Sequence, residues 1–157
     1  MTPALVLAAL LTPLGAVALG AVALVRRRYV SVDITGGSMR PTYDDGDRVL
    51  VRRVPPRRLR TGDVVVLAEP SPRKPEPGSG AGERWLIKRV AALPGDPVPR
   101  HVPALATAAG ERVPTGSVVV LGDGGARSYD SKQLGYLPLE SVLGVAVRTL
   151  TRAHGRR

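Results

Sequence analysis

Asp47 to Val54 reads DRVLVRRV, and its alternation of apolar and charged side chains around Val49 and Val51 has the period of a strand with one wet face. Four more runs lie further down the chain. Asp63 to Ala68 (DVVVLA) is a continuous β-branched run behind the turn pair Thr61-Gly62. Arg84 to Ala92 (RWLIKRVAA), Ser117 to Leu121 (SVVVL) and Val142 to Leu150 (VLGVAVRTL) complete the set. Pro and Gly fall between these runs and not inside them, Gly144 apart, as strand interiors require. No sustained helical stripe appears beyond the first 25 residues. The pattern predicts a mainly β domain over residues 30–150. Two stretches look like insertions or mobile loops: the Pro/Gly/Ser-rich Glu69 to Glu83, and Pro97 to Pro114. A basic tail occupies 151–157.

Upstream the chain changes character. Pro3 to Val25 holds no charged residue and is rich in Leu, Ala and Val. A helix of that length matches the ~30 Å of a hydrocarbon core. Pro13 is tolerated in such a helix, where it would break a soluble one. The expectation is one N-terminal transmembrane helix over 3–25, in preference to a buried core helix or a cleaved leader. No Lys or Arg precedes the apolar run, as a leader would need. Arg26, Arg27 and Arg28 come directly after it, and the positive-inside tendency then puts the β-domain in the cytoplasm.

The chain's 157 residues suffice for one domain. Its net charge of +10 is carried almost wholly by Arg, since Lys occurs only at Lys74, Lys88 and Lys132. Aromatics make up 3% of the chain, too few to stack bases, and no nucleic-acid module is recognisable. The absence of Cys excludes disulfides, thiol catalysis and cysteine-zinc sites. No metal or organic cofactor is implied, and no oligomeric state is encoded.

Within this arginine-rich chain a lysine in a strand of large apolar neighbours, Trp85-Leu86-Ile87-Lys88, stands out. Arginine cannot deprotonate in a protein, whereas a desolvated lysine falls toward neutrality and then accepts a proton. A lysine that merely snorkels from a strand is the plainer alternative. Ser38 sits in Gly36-Gly37-Ser38-Met39-Arg40-Pro41-Thr42. The glycines let a substrate's backbone approach and Pro41 stiffens the chain just beyond the serine, although Gly-Gly-Ser is also a common loop. Gly122 to Lys132 (GDGGARSYDSK) comes after a strand. Its Ser128 and Asp130 can orient a lysine or simply tie a glycine-rich turn.

Taken together these segments resemble the type I signal peptidases, from about Ile34 to Val147 and in the family's order. The serine box S-M-x-P-T is Ser38 to Thr42. The G-D-x-V pattern is met at Gly46-Asp47-Arg48-Val49 and again at Gly62-Asp63-Val64-Val65. The lysine box K-R-x-x-x-x-P-G-D is Lys88-Arg89 through Pro94-Gly95-Asp96, and the last box runs from Gly122 to Lys132. The resemblance implies a signal-peptidase-like β-domain, with Ser38 as nucleophile and Lys88 as general base. It also implies supporting roles for Ser128, toward the lysine, and for Asp130, through a basic partner. Ile34, Met39 and Tyr43 are implied in the pocket for small substrate side chains. It places the domain outside the cytoplasm, at a cell membrane crossed once, against the arginine pattern. Its partners are then signal-peptide-bearing precursors and the lipid membrane. Gly36 stands where some members carry a serine hydroxyl, so a backbone-dominated oxyanion hole is expected. Gly124 and Lys132 replace the usual Asn and Arg of the last box, and Tyr43 replaces a common Leu. Two alternatives share the sequence: a maturation protease with one or few clients, and a catalytically silent membrane-bound domain that binds peptides.

Overall fold

A computed structural model describes residues 19–69 and 85–153. Most of the expected 3–25 span, the 70–84 stretch and the last residues of the basic tail lie outside the described residues. Residues 19–28 are a helix, α1. Among the described residues no helix is long and apolar enough to cross a membrane.

The domain is mainly β. Its strands are β1 (Tyr29–Asp33), β2 (Arg48–Arg52), β3 (Val64–Ala68), β4 (Trp85–Ala92), β5 (Ser117–Leu121), β6 (Leu137–Pro138) and β7 (Val142–Thr151). They form one sheet in the order β1-β2-β7-β3-β4-β5-β6, every pairing antiparallel. The five runs read from the sequence are β2, β3, β4, β5 and β7, to within two residues at each end. Two strands escaped. β1 mixes Ser31 and Asp33 into its valines and sits at the sheet edge, with no run of its own to announce it. β6 is two residues long and ends in Pro138.

Alternation sorts the apolar side chains into two cores. Val64 and Val66 of β3 join Ile34, Met39, Val49, Val51 and Ile87 on one side. Val65 and Leu67, from the same strand, join Leu59, Val90, Val118, Val120 and Leu137 on the other. β3 is covered on both faces, which is why its sequence is an unbroken apolar run and β2's is not. Register shifts where β7 meets β2 and β3, and where β4 meets β5, curl the sheet. Gly144 is the residue that makes the closest pass possible: a Cβ there would collide with the carbonyl of Arg52.

Residues 97–114 differ from the mobile insertion expected. Val98, Val102, Leu105 and Val113 pack against Ala92 and Val119 as a third cluster. Val98 N–H donates to Glu111 O (2.9 Å) and Val113 N–H to Asp96 O (2.9 Å), while the Arg100 guanidinium donates to the carbonyls of Ala108 and Gly110 (2.5 Å each). Prolines and glycines punctuate the segment, yet its spaced valines and Leu105 suffice to anchor it against the sheet. β7 continues to Thr151, opposite Arg48, and Ala153 N–H donates to Asp47 Oδ1 (2.8 Å).

Candidate active site

The loop from Ile34 to Asp47 is closed at its base by the sheet-like pair Ile34 N–H to Asp47 O and Gly46 N–H to Ile34 O (both 2.8 Å). Inside it, Gly36 holds φ +85°, a conformation that glycine adopts without strain, and its N–H donates to Asp45 Oδ1 (2.7 Å). Met39 is fully buried in the first core cluster and pins the turn that carries Ser38. Tyr43 N–H donates to Met39 O (3.0 Å). Ser38 is thus held on a short turn between a pair of glycines and a buried anchor.

Lys88 comes from β4, opposite Val65, and is 3% exposed. Its Nζ donates to Ser38 Oγ at 2.8 Å and to Ile87 O at 3.0 Å. Burial draws the Lys88 amine below its ordinary pKa; the Asp130 carboxylate opposes that shift and the Lys132 ammonium adds to it. A low-dielectric site penalises the charged amine, a penalty that a lysine can relieve by releasing its proton and an arginine cannot.

The third wall is the segment after β5. Asp130 is fully buried and caps the short helix α2 (Ser131–Leu134) in a reciprocal capping box with Gln133. Its Oδ2 accepts from Gly122 N–H (2.8 Å) and from Lys132 Nζ (2.6 Å), and its Oδ1 accepts from Lys132 N–H (3.0 Å). Burial opposes ionisation of Asp130, but the Lys132 side chain, the neighbouring Ser128 hydroxyl and the two backbone donors outweigh it and hold the carboxyl below its usual range. Ser128 is itself buried, and its Oγ meets no hydrogen-bond partner of full geometry. The lysine bond that the resemblance implied for Ser128 is not made; the hydroxyl stands beside the Asp130 carboxylate, whose ionised form it favours.

This segment reaches Ser38 because two of its residues lack a side chain. A Cβ on Gly122 would sit 2.5 Å from Ser38 O, and one on Gly124 would sit 2.6 Å from Gly37 O. Gly124 N–H donates to Ser38 O (2.9 Å). A second tie was not read from the sequence. Arg89 donates from Nε to Asp123 Oδ1 (2.9 Å) and from Nη2 to Asp123 Oδ2 (2.6 Å). Thr42 Oγ1 also donates to Asp123 Oδ2, and Arg89 Nη1 donates to Gly62 O (2.9 Å). The bidentate guanidinium holds the Asp123 carboxyl below its usual range. Arg89, Asp123 and Thr42 therefore lash together the loop bearing Ser38, the strand bearing Lys88 and the glycine-rich segment. All three residues sit inside the quoted boxes, but only their meeting in space reveals the clamp.

A cleft of about 290 Å³ opens beside Ser38 and Lys88, with Ile34, Gly36, Gly37 and Val66 in its walls. Trp85 and Tyr129, 41% and 50% exposed, stand at its sides. Of the expected substrate-contact residues, Ile34 lines this cleft, Met39 lies wholly in the core behind it, and Tyr43 packs half-buried on that core without lining the cleft.

A serine hydroxyl against a buried amine carried by an interior strand of a curled antiparallel sheet defines a class: β-fold proteins with a Ser/Lys pair. The chain belongs to the family described as signal peptidase, peptidase S26, which it matches over residues 6–105 and 100–150. It is 33% identical to a probable signal peptidase I-1 of Synechocystis sp., over 76% of this chain and 68% of that one. It is 32% identical to a signal peptidase I of Leptolyngbya laminosa, over 73% and 64%, and 33% identical to mitochondrial inner membrane protease subunit 1 of Schizosaccharomyces pombe, over 67% and 62%. Membership makes the protein a serine endopeptidase, a hydrolase of the kind that removes signal peptides.

Proposed function

We propose that Ser38 and Lys88 carry out the peptide-bond cleavage, on precursors held at a membrane by their own apolar leaders. The observation that carries this reading is the 2.8 Å approach of Lys88 Nζ to Ser38 Oγ, with the lysine 3% exposed. A neutral amine has two N–H bonds and one lone pair. One N–H satisfies Ile87 O, and the lone pair is left to take the hydroxyl proton of Ser38. As Ser38 Oγ bonds to the scissile carbonyl carbon, its proton passes to Lys88. The resulting ammonium then protonates the leaving amine, the C–N bond breaks, and an ester to Ser38 remains. Water attacks that ester, giving its proton to Lys88, and the released Ser38 oxygen recovers a proton from the same amine.

Ser38 N–H donates to no acceptor among the described residues, so it is available to the oxyanion, a contribution typically worth about 3 kcal/mol. Asp130 acts through Lys132 and Gly122, shaping the wall against which Lys88 rests. The apolar 3–25 segment anchors the domain by a single span and raises the effective concentration of embedded substrates. The domain then faces the side on which exported precursors emerge. Cleavage of a signal-like peptide bearing Ala-x-Ala by the detergent-solubilised full chain is the test, beside Ser38→Ala and Lys88→Ala. Loss of product in both variants upholds the pair; cleavage that survives either one refutes it.

A further inference from the structure

A second concavity, about 900 Å³ and larger than the cleft, lies away from it. It lies where the chain leaves α1, and its wall carries Arg28, Arg52, Arg53, Arg57, Arg58 and Arg60. All six are exposed, and none donates a side-chain hydrogen bond or forms an ion pair among the described residues. The one carboxylate in the wall, Asp63, accepts from the backbone N–H of Arg60 (2.9 Å), so it braces the loop and pairs with no guanidinium.

This is a built surface and not a frayed one. Pro55 and Pro56 open a 3-10 turn, closed by Arg58 N–H to Pro55 O (2.9 Å) and Leu59 N–H to Pro56 O (3.1 Å). Leu59 is buried in the second core cluster. Arg53 N–H donates to Arg28 O (2.8 Å), which fixes the loop to the end of α1. Six like charges gathered in a concavity repel one another, a cost that an anionic ligand would remove. Guanidinium forks match phosphate oxygens two at a time.

We propose that this basin binds the phosphate headgroup of an anionic membrane phospholipid. The position of the basin in the chain favours that source. It begins at Arg28 and Tyr29, with Arg26 and Arg27 between it and the apolar segment that ends at Val25, where a span would deliver it to the headgroup layer. Tyr29, in the wall, is a side chain suited to that layer. The proposal rests on the membrane-anchored reading above.

The test uses the full chain in neutral detergent, titrated with the short-chain phospholipids dihexanoylphosphatidylglycerol and dihexanoylphosphatidylcholine below their micelle concentrations, and with inorganic pyrophosphate. Arg57→Gln/Arg58→Gln/Arg60→Gln is compared with the parent, its melting curve and peptide cleavage serving as folding controls. The glycerol lipid is expected to bind, the choline lipid much more weakly, and the triple variant to lose at least about tenfold in affinity for the former. Equal binding of both lipids, or unchanged binding in the variant, overturns the proposal. Pyrophosphate binding with none of the anionic lipid would make the ligand a soluble phosphate and also overturn it, as would binding of single-stranded RNA in place of lipid. Alkaline extraction of the chain from vesicles separates the two readings. A chain that resists extraction yet shows no headgroup preference keeps the anchor and loses the basin. A chain that is extracted but binds the anionic lipid loses the anchor and keeps the basin.

Discussion

The Ser38–Lys88 cleft and the arginine basin draw on the same edge strand: Val32 and Asp33 line one, Tyr29 the other. They put positive charge to opposite uses. In the cleft a single lysine is removed from water, and burial pulls its amine toward the neutral form. In the basin six arginines stay exposed to solvent. The difference arises from side-chain chemistry as much as from position. An ammonium on a flexible stem gives up its proton when desolvated, while a guanidinium does not. A chain that almost always chooses arginine carries lysine in the cleft, where the proposed role requires losing a proton.

The sharpest way to break that contrast is to carry arginine into the cleft. Lys88→Arg retains the positive charge and removes the base, so kcat/KM for a signal-like peptide should fall by about 10³-fold or more. Steady-state kinetics with the purified variant measure this, and activity within tenfold of the parent would refute the role given to Lys88. The next largest effect is steric. Gly122→Ala would force its Cβ within 2.5 Å of Ser38 O, and should cost about 3 kcal/mol of stability with most of the activity. Urea unfolding curves give the first number.

Asp130→Asn sharpens the contrast more gently. It removes a charge that favours the protonated form of Lys88, so the rise of activity with pH should move to lower pH. The same change leaves Lys132 without its carboxylate and should cost about 2 kcal/mol at neutral pH. The sign of its pH dependence is fixed. Asp130 is held below its unfolded value, so its stabilisation is complete above the unfolded carboxylate pKa of about 3.9 and is lost as pH falls through the folded one. The Asn variant should lack that loss in acid-unfolding profiles. At the far end, Arg58→Gln touches only an exposed side chain in the basin, and its melting midpoint should correspond to a change within about 0.5 kcal/mol. A larger shift would mean that the basin is part of the fold's support.

How legible each region was in the sequence tracks how local its cause is. SVVVL at Ser117–Leu121 is β5 to the residue, because β-branched side chains in an unbroken run have one good use. Residues 97–114 were misread as mobile because punctuation by Pro and Gly masks Val98, Val102, Leu105 and Val113, which are too widely spaced to show a period but close in space. β1 was invisible for a related reason: with Ser31 and Asp33 inside it, the pairing with β2 and not the composition makes it a strand. In the site, Ser38, Lys88 and Asp130 could each be named from motifs. Arg89, Asp123 and Thr42 lay in the same motifs, but their clamp joins positions up to 81 apart, and no spacing encodes it. Ser128 is the reverse case, a residue with an expected partner that its hydroxyl does not meet.

By itself the sequence determined the mainly β character, the apolar character of 3–25, and the residue types able to do the chemistry. These rest on side-chain period, hydropathy and acid–base character, which belong to the residues wherever they fold. Tertiary structure alone decided that Lys88 meets Ser38 across 50 positions of chain, that burial lowers the pKa of its amine, and that Arg28 joins the arginines of 52–60 in one basin. Desolvation and proximity are properties of the packed molecule, set by how the sheet curls and by where Gly122, Gly124 and Gly144 let backbones touch.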